Sequence, residues 1–221
     1  MVMSMAKGAD KAGVAVLRGR DSECIEVLMA FFAAVAHQEG WEPGGELEAH
    51  RDCSTYFALT DADGMVTGGL QLIAPDEQGQ LPTTKVWPEL AQTLTANKGA
   101  IAHVSMLAVA KGSRSRRSSD GNSAFWRLTA AMWNHCIEAG VRELWLEATP
   151  RTLRAYKLVG WPLAVRGELR DHWGEPCYPC SLSVREVAGA LTERAVHSDT
   201  YRRILAEMVR EHGKGKAAPL L

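Results

Sequence analysis

The spacing of apolar and polar positions changes several times along this chain, and each change marks an element. VAVL at 14–17 alternates as a first strand. Asp21 or Ser22 then caps a helix running to about His37, with Glu23 and Glu26 at its positive end. The segment GWEPGGELEAHRD reads as a loop, because Gly and Pro break any period. Residues 54–75 alternate on both sides of a D-A-D-G turn and read as a hairpin ending at Pro75. Residues 76–99 are irregular or weakly helical.

The following stretch, 100–182, has the clearest pattern. It runs strand (IAHVSMLAVA), basic Gly/Ser loop (KGSRSRRSSDGNS), amphipathic helix (AFWRLTAAMWNHCIEAG) and strand (VRELWLEAT). A short helix opened by Pro150 and a closing strand (CYPCSLSV) come next. A helical region at 187–212, broken near His197 and Ser198, sets Tyr201, Ile204, Leu205 and Met208 on one face. That face is expected to dock on the sheet or to form a homodimer contact.

Strands joined by a tight hairpin are antiparallel, and those flanking the 121–139 helix are expected to be parallel. The fold class is therefore α/β: one mixed central sheet with helices on both faces, plus a C-terminal helix. The expected division is a flexible leader at 1–13, a main domain at 14–185, a helical extension at 186–212 and a tail at 213–221. The 221 residues suffice for a substantial core.

Composition narrows the partners. A net charge of −1 gives no footprint for nucleic acid. The longest apolar run, 27–36, is too short for a membrane span, and the N-terminal residues lack the apolar core of a signal peptide, so the cytoplasm is the expected compartment. Five cysteines are an odd count; Cys24, Cys53 and Cys136 stand alone in apolar surroundings. Cys177 and Cys180 form a C-x-x-C that interrupts a strand with no second pair, so buried thiols are expected and no metal.

Several motifs in order carry a resemblance. Trp41 closes the first helical region and is followed by Glu46-Leu47-Glu48. Gly68-Gly69-Leu70-Gln71-Leu72 lies in the hairpin, and His103-Val104-Ser105-Met106-Leu107-Ala108-Val109 in the core strand. Gly160-Trp161-Pro162 follows the short helix. Taken together, residues 18–185 resemble the GCN5-related N-acyltransferases, and within them the acyl-homoserine lactone (autoinducer) synthases and N-acyl amino acid synthases. The family's core-strand glutamate and arginine are His103 and Met106 here, and its hairpin arginine is Gln71. In the family those groups help to hold S-adenosylmethionine.

The resemblance implies transfer of an acyl group from an acyl thioester, on acyl carrier protein or coenzyme A, to an amine. The leading acceptor is S-adenosylmethionine, with release of an N-acyl-homoserine lactone. It implies no permanently bound cofactor. Another small amine or amino acid is the alternative acceptor, and a non-catalytic thioester-binding relative is a third reading. A wide apolar cavity would favour lactone synthesis, whereas a short, blocked one would favour a plain coenzyme A-dependent N-acetyltransferase.

Acyl transfer needs a neutral amine, a polarised carbonyl and attack geometry. An imidazole is a common general base, so His103 is a candidate for that role, as are Glu46, Glu48 and Glu147. Glu46 and Glu48 share a face if their segment is extended. Trp41, Gln71, Ser105 and Met106 occupy positions implied to bind the acceptor. The resemblance implies that splayed strands cradle the pantetheine arm, with a backbone N–H near Leu107 to Val109 polarising the thioester oxygen. Arg114, Arg116 and Arg117 form a basic run suited to coenzyme A phosphates or an acidic carrier protein.

Overall fold

The computed structural model describes residues 13–18, 23–97, 99–113 and 123–212. The strands are β1 (Val14–Arg18), β2 (Ser54–Thr60), β3 (Val66–Ile73), β4 (Ile101–Val109), β5 (Glu143–Ala148), β6 (Ala164–Val165), β7 (Arg170–His172) and β8 (Glu175–Ser183). The helices are α1 (Glu23–Glu39), α2 (Glu46–Ala49), α3 (Ala91–Ala96), α4 (Ala124–Glu138), α5 (Pro150–Leu158), α6 (Val184–His197) and α7 (Asp199–His212). One sheet runs in the order β1-β2-β3-β4-β5-β8-β6, with β7 hairpinned onto β8. Its β4–β5 pair is parallel and the other pairs are antiparallel.

Alternation along the strands sorts the core into two layers. Phe57, Leu59, Leu70, Leu72, Leu144 and Leu146 face the α4, α6 and α7 layer. Tyr56, Ala58, Met106 and Ala108 face α1. Trp145, Ile101 and Cys177 continue that second face beneath the 3-10 turns at Pro82–Lys85 and Pro88–Leu90. Consecutive glycines serve both layers. A Cβ on Gly68 would lie 3.0 Å from Leu128 of α4, and one on Gly69 only 2.5 Å from Leu28 of α1. The G-G pair therefore lets a helix approach closely from each side.

Helix starts follow the sequence. Ser123, Thr149 and Ser183 each accept a backbone N–H three residues on, capping α4, α5 and α6. The break expected near Ser198 falls between α6 and α7.

The structure differs from the expectations at several points. The 40–52 segment is not wholly a loop: it contains α2 and a 3-10 turn at Arg51–Cys53. The apolar face of α7 lies against α4 rather than the sheet. Tyr201 meets Trp126 at 6.4 Å, and Asn134 Nδ2 donates to the Met208 carbonyl. The closing region also has a short hairpin, β7–β8, that three-residue periodicity cannot reveal. The boundary expected at 185 lies inside α6, whose Val187 and Leu191 belong to the main core. No helix among the described residues is long and apolar enough to cross a membrane.

Candidate active site

Parallel pairing between β4 and β5 spans only Ile101↔Glu143, Ala102↔Leu144 and His103↔Trp145. Beyond it the strands part, and among the described residues β4 keeps a strand partner only on its β3 side. A β-bulge assists: Val104 and Met106 pair with consecutive β3 residues, leaving Ser105 as the extra residue. The bulge also switches parity. Ile101 before it and Met106 after it face the same side, while Val104 and Leu107 both turn to the opposite layer. The fork opens as a cleft of about 220 Å³, lined by residues of β4, β5, α5 and the β7–β8 hairpin together with Trp41.

Glu147 stands at the fork. Its Oε2 lies 2.7 Å from His103 Nε2, and its Oε1 accepts a 2.7 Å hydrogen bond from the Thr83 hydroxyl. Glu147 lines the cleft, whereas His103 is 1% exposed and lies behind it. Burial pushes the Glu147 carboxyl up. The charge and hydrogen bond of His103, aided by His172 and Thr83, outweigh this and hold it below its ordinary value. An ionised carboxylate accepts the Nε2–H, which leaves His103 Nδ1 buried without a partner. The two residues named separately in the sequence thus form one buried pair on adjacent strands.

The rim is acidic and aromatic. Trp173 and Gly174 form the two-residue turn between β7 and β8, and both have positive φ (55° and 82°). A tryptophan there is strained, by roughly 1–2 kcal/mol. Its indole stacks on His172 at 4.8 Å and donates to Glu46 Oε2 at 2.8 Å. His172 Nε2 lies 3.6 Å from the same oxygen, and Lys85 Nζ 3.7 Å from the other. The His172 contact pulls the Glu46 carboxyl down most; burial opposes it, and Trp173 and Lys85 add to the fall, to about 2.

The expected pairing of Glu46 with Glu48 does not hold. Both lie in the helical turn α2, where residues two apart point in nearly opposite directions. Glu46 reaches the rim, whereas Glu48 turns away to Arg51. Gln71 is buried beside Met106 on the α1 face, donating to Ser54 Oγ at 2.9 Å, and does not line the cleft. Trp41, Ser105, Met106 and Leu107 do line it, while Val109 pairs with Gly68 at the far end of β4. Arg114, Arg116 and Arg117 lie outside the described residues. The C-x-x-C thiols belong to different core clusters on opposite faces of β8, both pushed up to about 12 by burial.

Sequence reasoning missed Tyr156, His172, Trp173 and Thr83. Tyr156 lines the cleft from α5, stacks on Trp161 at 5.1 Å, and is pushed up to about 12 by burial, so its phenol stays protonated. Its spacing from Leu153, one helical turn on the apolar stripe, was the available signal. Nothing local marks His172 and Trp173, because β7, the strand that leads into their turn, has only three residues.

No protein-family model and no curated protein matches the chain. Solved structures do. FeeM, an N-acyl amino acid synthase from uncultured soil microbes, superposes with a TM-score of 0.65 at 16% identity, covering 81% of this chain and 96% of its own. BjaI, a CoA-dependent acyl-homoserine lactone synthase solved with SAM and isopentyl-CoA, gives 0.62 at 16%, covering 88% and 99%. The AHL synthase LasI gives 0.58 at 18%, covering 78% and 91%. The chain has the fold of these synthases.

Proposed function

We propose that this chain is an N-acyltransferase that moves an acyl group from a pantetheine thioester to the amine of a small acceptor. The observation that carries this reading is the parting of β4 and β5 at His103↔Trp145 with an ionised, cleft-lining Glu147 at the fork. An extended pantetheine arm can add to the free edge of a parted strand through main-chain hydrogen bonds. That edge also supplies backbone N–H groups to polarise the thioester oxygen. The donor is carried by acyl carrier protein or coenzyme A.

Glu147 takes a proton from the acceptor ammonium: the N–H bond breaks and a carboxyl O–H forms. The free amine attacks the thioester carbonyl. Collapse of the adduct breaks the C–S bond, and the Tyr156 phenol, close by in the cleft, protonates the departing thiolate. His103 is a positioning residue, fixing the carboxylate from behind. The phenolate takes back the proton that the adduct nitrogen loses as the amide forms, and Glu147 returns its own to solvent.

Trp41 and Trp173 with Glu147 and Glu46 favour an acceptor carrying net positive charge. S-adenosylmethionine, with a sulfonium and an ammonium against one carboxylate, meets that requirement, and lactone release would then follow. The fold shared with acyl-homoserine lactone synthases supports this finer reading. A second reading, another cationic amine, is favoured by Met106 and Gln71, which stand where the family uses arginines.

The test is incubation of the purified chain with acetyl- and butyryl-coenzyme A and three acceptor classes: S-adenosylmethionine, neutral amino acids and diamines. Thiol release and product mass are followed together. Amine-dependent thiol release with a matching new amide is expected. Thioester binding without turnover on any acceptor would replace the enzyme reading with a binding one.

A further inference from the structure

An acyl chain leaving a thioester carbonyl in the fork has two ways to go. One side holds Glu147, His172 and Trp173, which are charged, hydrogen-bonded or polar. The other is apolar. There the cleft residues Val104, Leu107, Leu146 and Tyr156 also line a recess that runs between the sheet and α4. Leu70, Met132, Leu144, Trp161 and Leu182 close it. Even Thr129 contributes no free polar group, since its hydroxyl donates to the Phe125 carbonyl of its own helix. Burying a methylene chain favours this side over the charged one.

That recess is almost full. Its free volume is about 10 Å³, at or below what a single water needs. The aromatic wall is braced: Trp161 stacks on Tyr156 with 4° between the planes and lies 5.5 Å from Phe125. Met132, 1% exposed, is the flexible member of the lining. A chain of more than a few carbons must displace it or push apart braced rings, and protein interiors yield little to such overpacking.

We infer that the donor is a short-chain acyl thioester, roughly two to four carbons long, and that Met132 sets the limit. The inference rests on the acyl-thioester reading of the cleft and deepens it: a short, blocked recess favours plain coenzyme A-dependent N-acyl transfer over lactone synthesis. Met132 acts here as a specificity determinant for the donor and plays no part in the chemistry of the acceptor.

Binding separates this from the reading beneath it, because no acceptor is needed. The purified full chain is titrated by calorimetry with free coenzyme A and with acetyl-, butyryl-, hexanoyl- and octanoyl-coenzyme A, and in parallel with the matching S-acyl pantetheines. Tight binding of the acetyl and butyryl thioesters is expected. Each further two-carbon step should weaken it on the order of 10-fold, and Met132→Ala should flatten the series by recovering hexanoyl binding. If Met132→Ala does not fold, Met132→Val is read in its place. Octanoyl binding as tight as butyryl in the wild type, or an unchanged series in a folded Met132 variant, overturns the inference while leaving a thioester site. Failure of every probe to bind removes the thioester reading itself.

Discussion

The two sides of the β4–β5 fork are built on opposite principles. On one side, Glu147, His103 and Thr83 form a buried polar chain, and Glu46, His172 and Trp173 continue it to the rim. On the other, Leu70, Met132, Leu144, Trp161 and Leu182 pack with almost no free volume. The same two strands supply both, because alternation sends Glu147 one way and Leu146 the other. A parted parallel pair thereby offers a polar wall and an apolar wall to a single bound molecule. Polar walls are costly unless every group is satisfied, and apolar ones are costly when cavities open or extra atoms are forced in. Substitutions on the two sides should therefore fail differently: activity first on the polar side, stability and chain-length selection first on the apolar side.

The largest effect is expected at Glu147. Glu147→Gln keeps the volume and accepts through one oxygen only, so Thr83 or His103 must instead accept from its amide NH2; it carries no charge and cannot act as a base. The rate of amide formation should fall about 10²–10⁴-fold, with thioester binding intact by calorimetry. A variant retaining more than a tenth of the activity would move the base elsewhere. Tyr156→Phe sharpens the comparison, since that side chain touches both walls. A thiolate leaves readily, its conjugate acid having a pKa of about 8.5, so the loss should stay on the order of 10-fold. The high-pH limb of the rate profile, set by a phenol near 12 in the wild type, should change in Tyr156→Phe. An unchanged profile would leave Tyr156 a structural ring only.

The layered fold and half of the site were legible in the sequence, for different reasons. Strands β2 to β5 and helices α1 and α4 are long enough for period 2 and period 3.6 to show, and the D-A-D-G turn fixes a hairpin. Glu147 and His103 were visible as titratable residues near strand ends, but their pairing was not. It depends on strands 44 residues apart lying parallel with Trp145 opposite His103. Glu46 and Glu48 misled because four helical residues after Gly44-Gly45 carry no periodic signal. His172 and Trp173 were silent because β7 has three residues and its turn uses a tryptophan where Gly, Asn or Asp is usual.

A third test addresses how the polar wall is held in place. Gly69 faces α1, and a Cβ there would lie 2.5 Å from Leu28 Cδ1 and 2.7 Å from Phe32 Cε1. Gly69→Ala must therefore push α1 away from the sheet, at roughly 1–3 kcal/mol in urea unfolding. Gly68→Ala, at 3.0 Å from Leu128 Cδ1 and 3.3 Å from the Ala108 carbonyl oxygen, meets longer contacts and should cost less. A reversed order would mean that α4, not α1, is the more tightly seated layer.

The smallest effect belongs to Glu46, at the rim. Glu46→Gln still accepts from the Trp173 indole, so what it removes is charge. A carboxyl lowered to about 2 from 4.5 favours the folded state only while ionised. Its contribution is complete above 4.5, shrinks as pH falls through that window, and is gone below about 2. The side chain is 28% exposed, so screening limits the contribution to roughly 1–2 kcal/mol at neutral pH. The wild type should be more stable than Glu46→Gln by that amount at pH 7, with the gap closing between 4.5 and 2. No gap at pH 7 would mean that the hydrogen bond to Trp173, which the variant keeps, and not the ion cluster with His172 and Lys85, holds the rim. In that case the acidic character of the polar wall would rest on Glu147 alone.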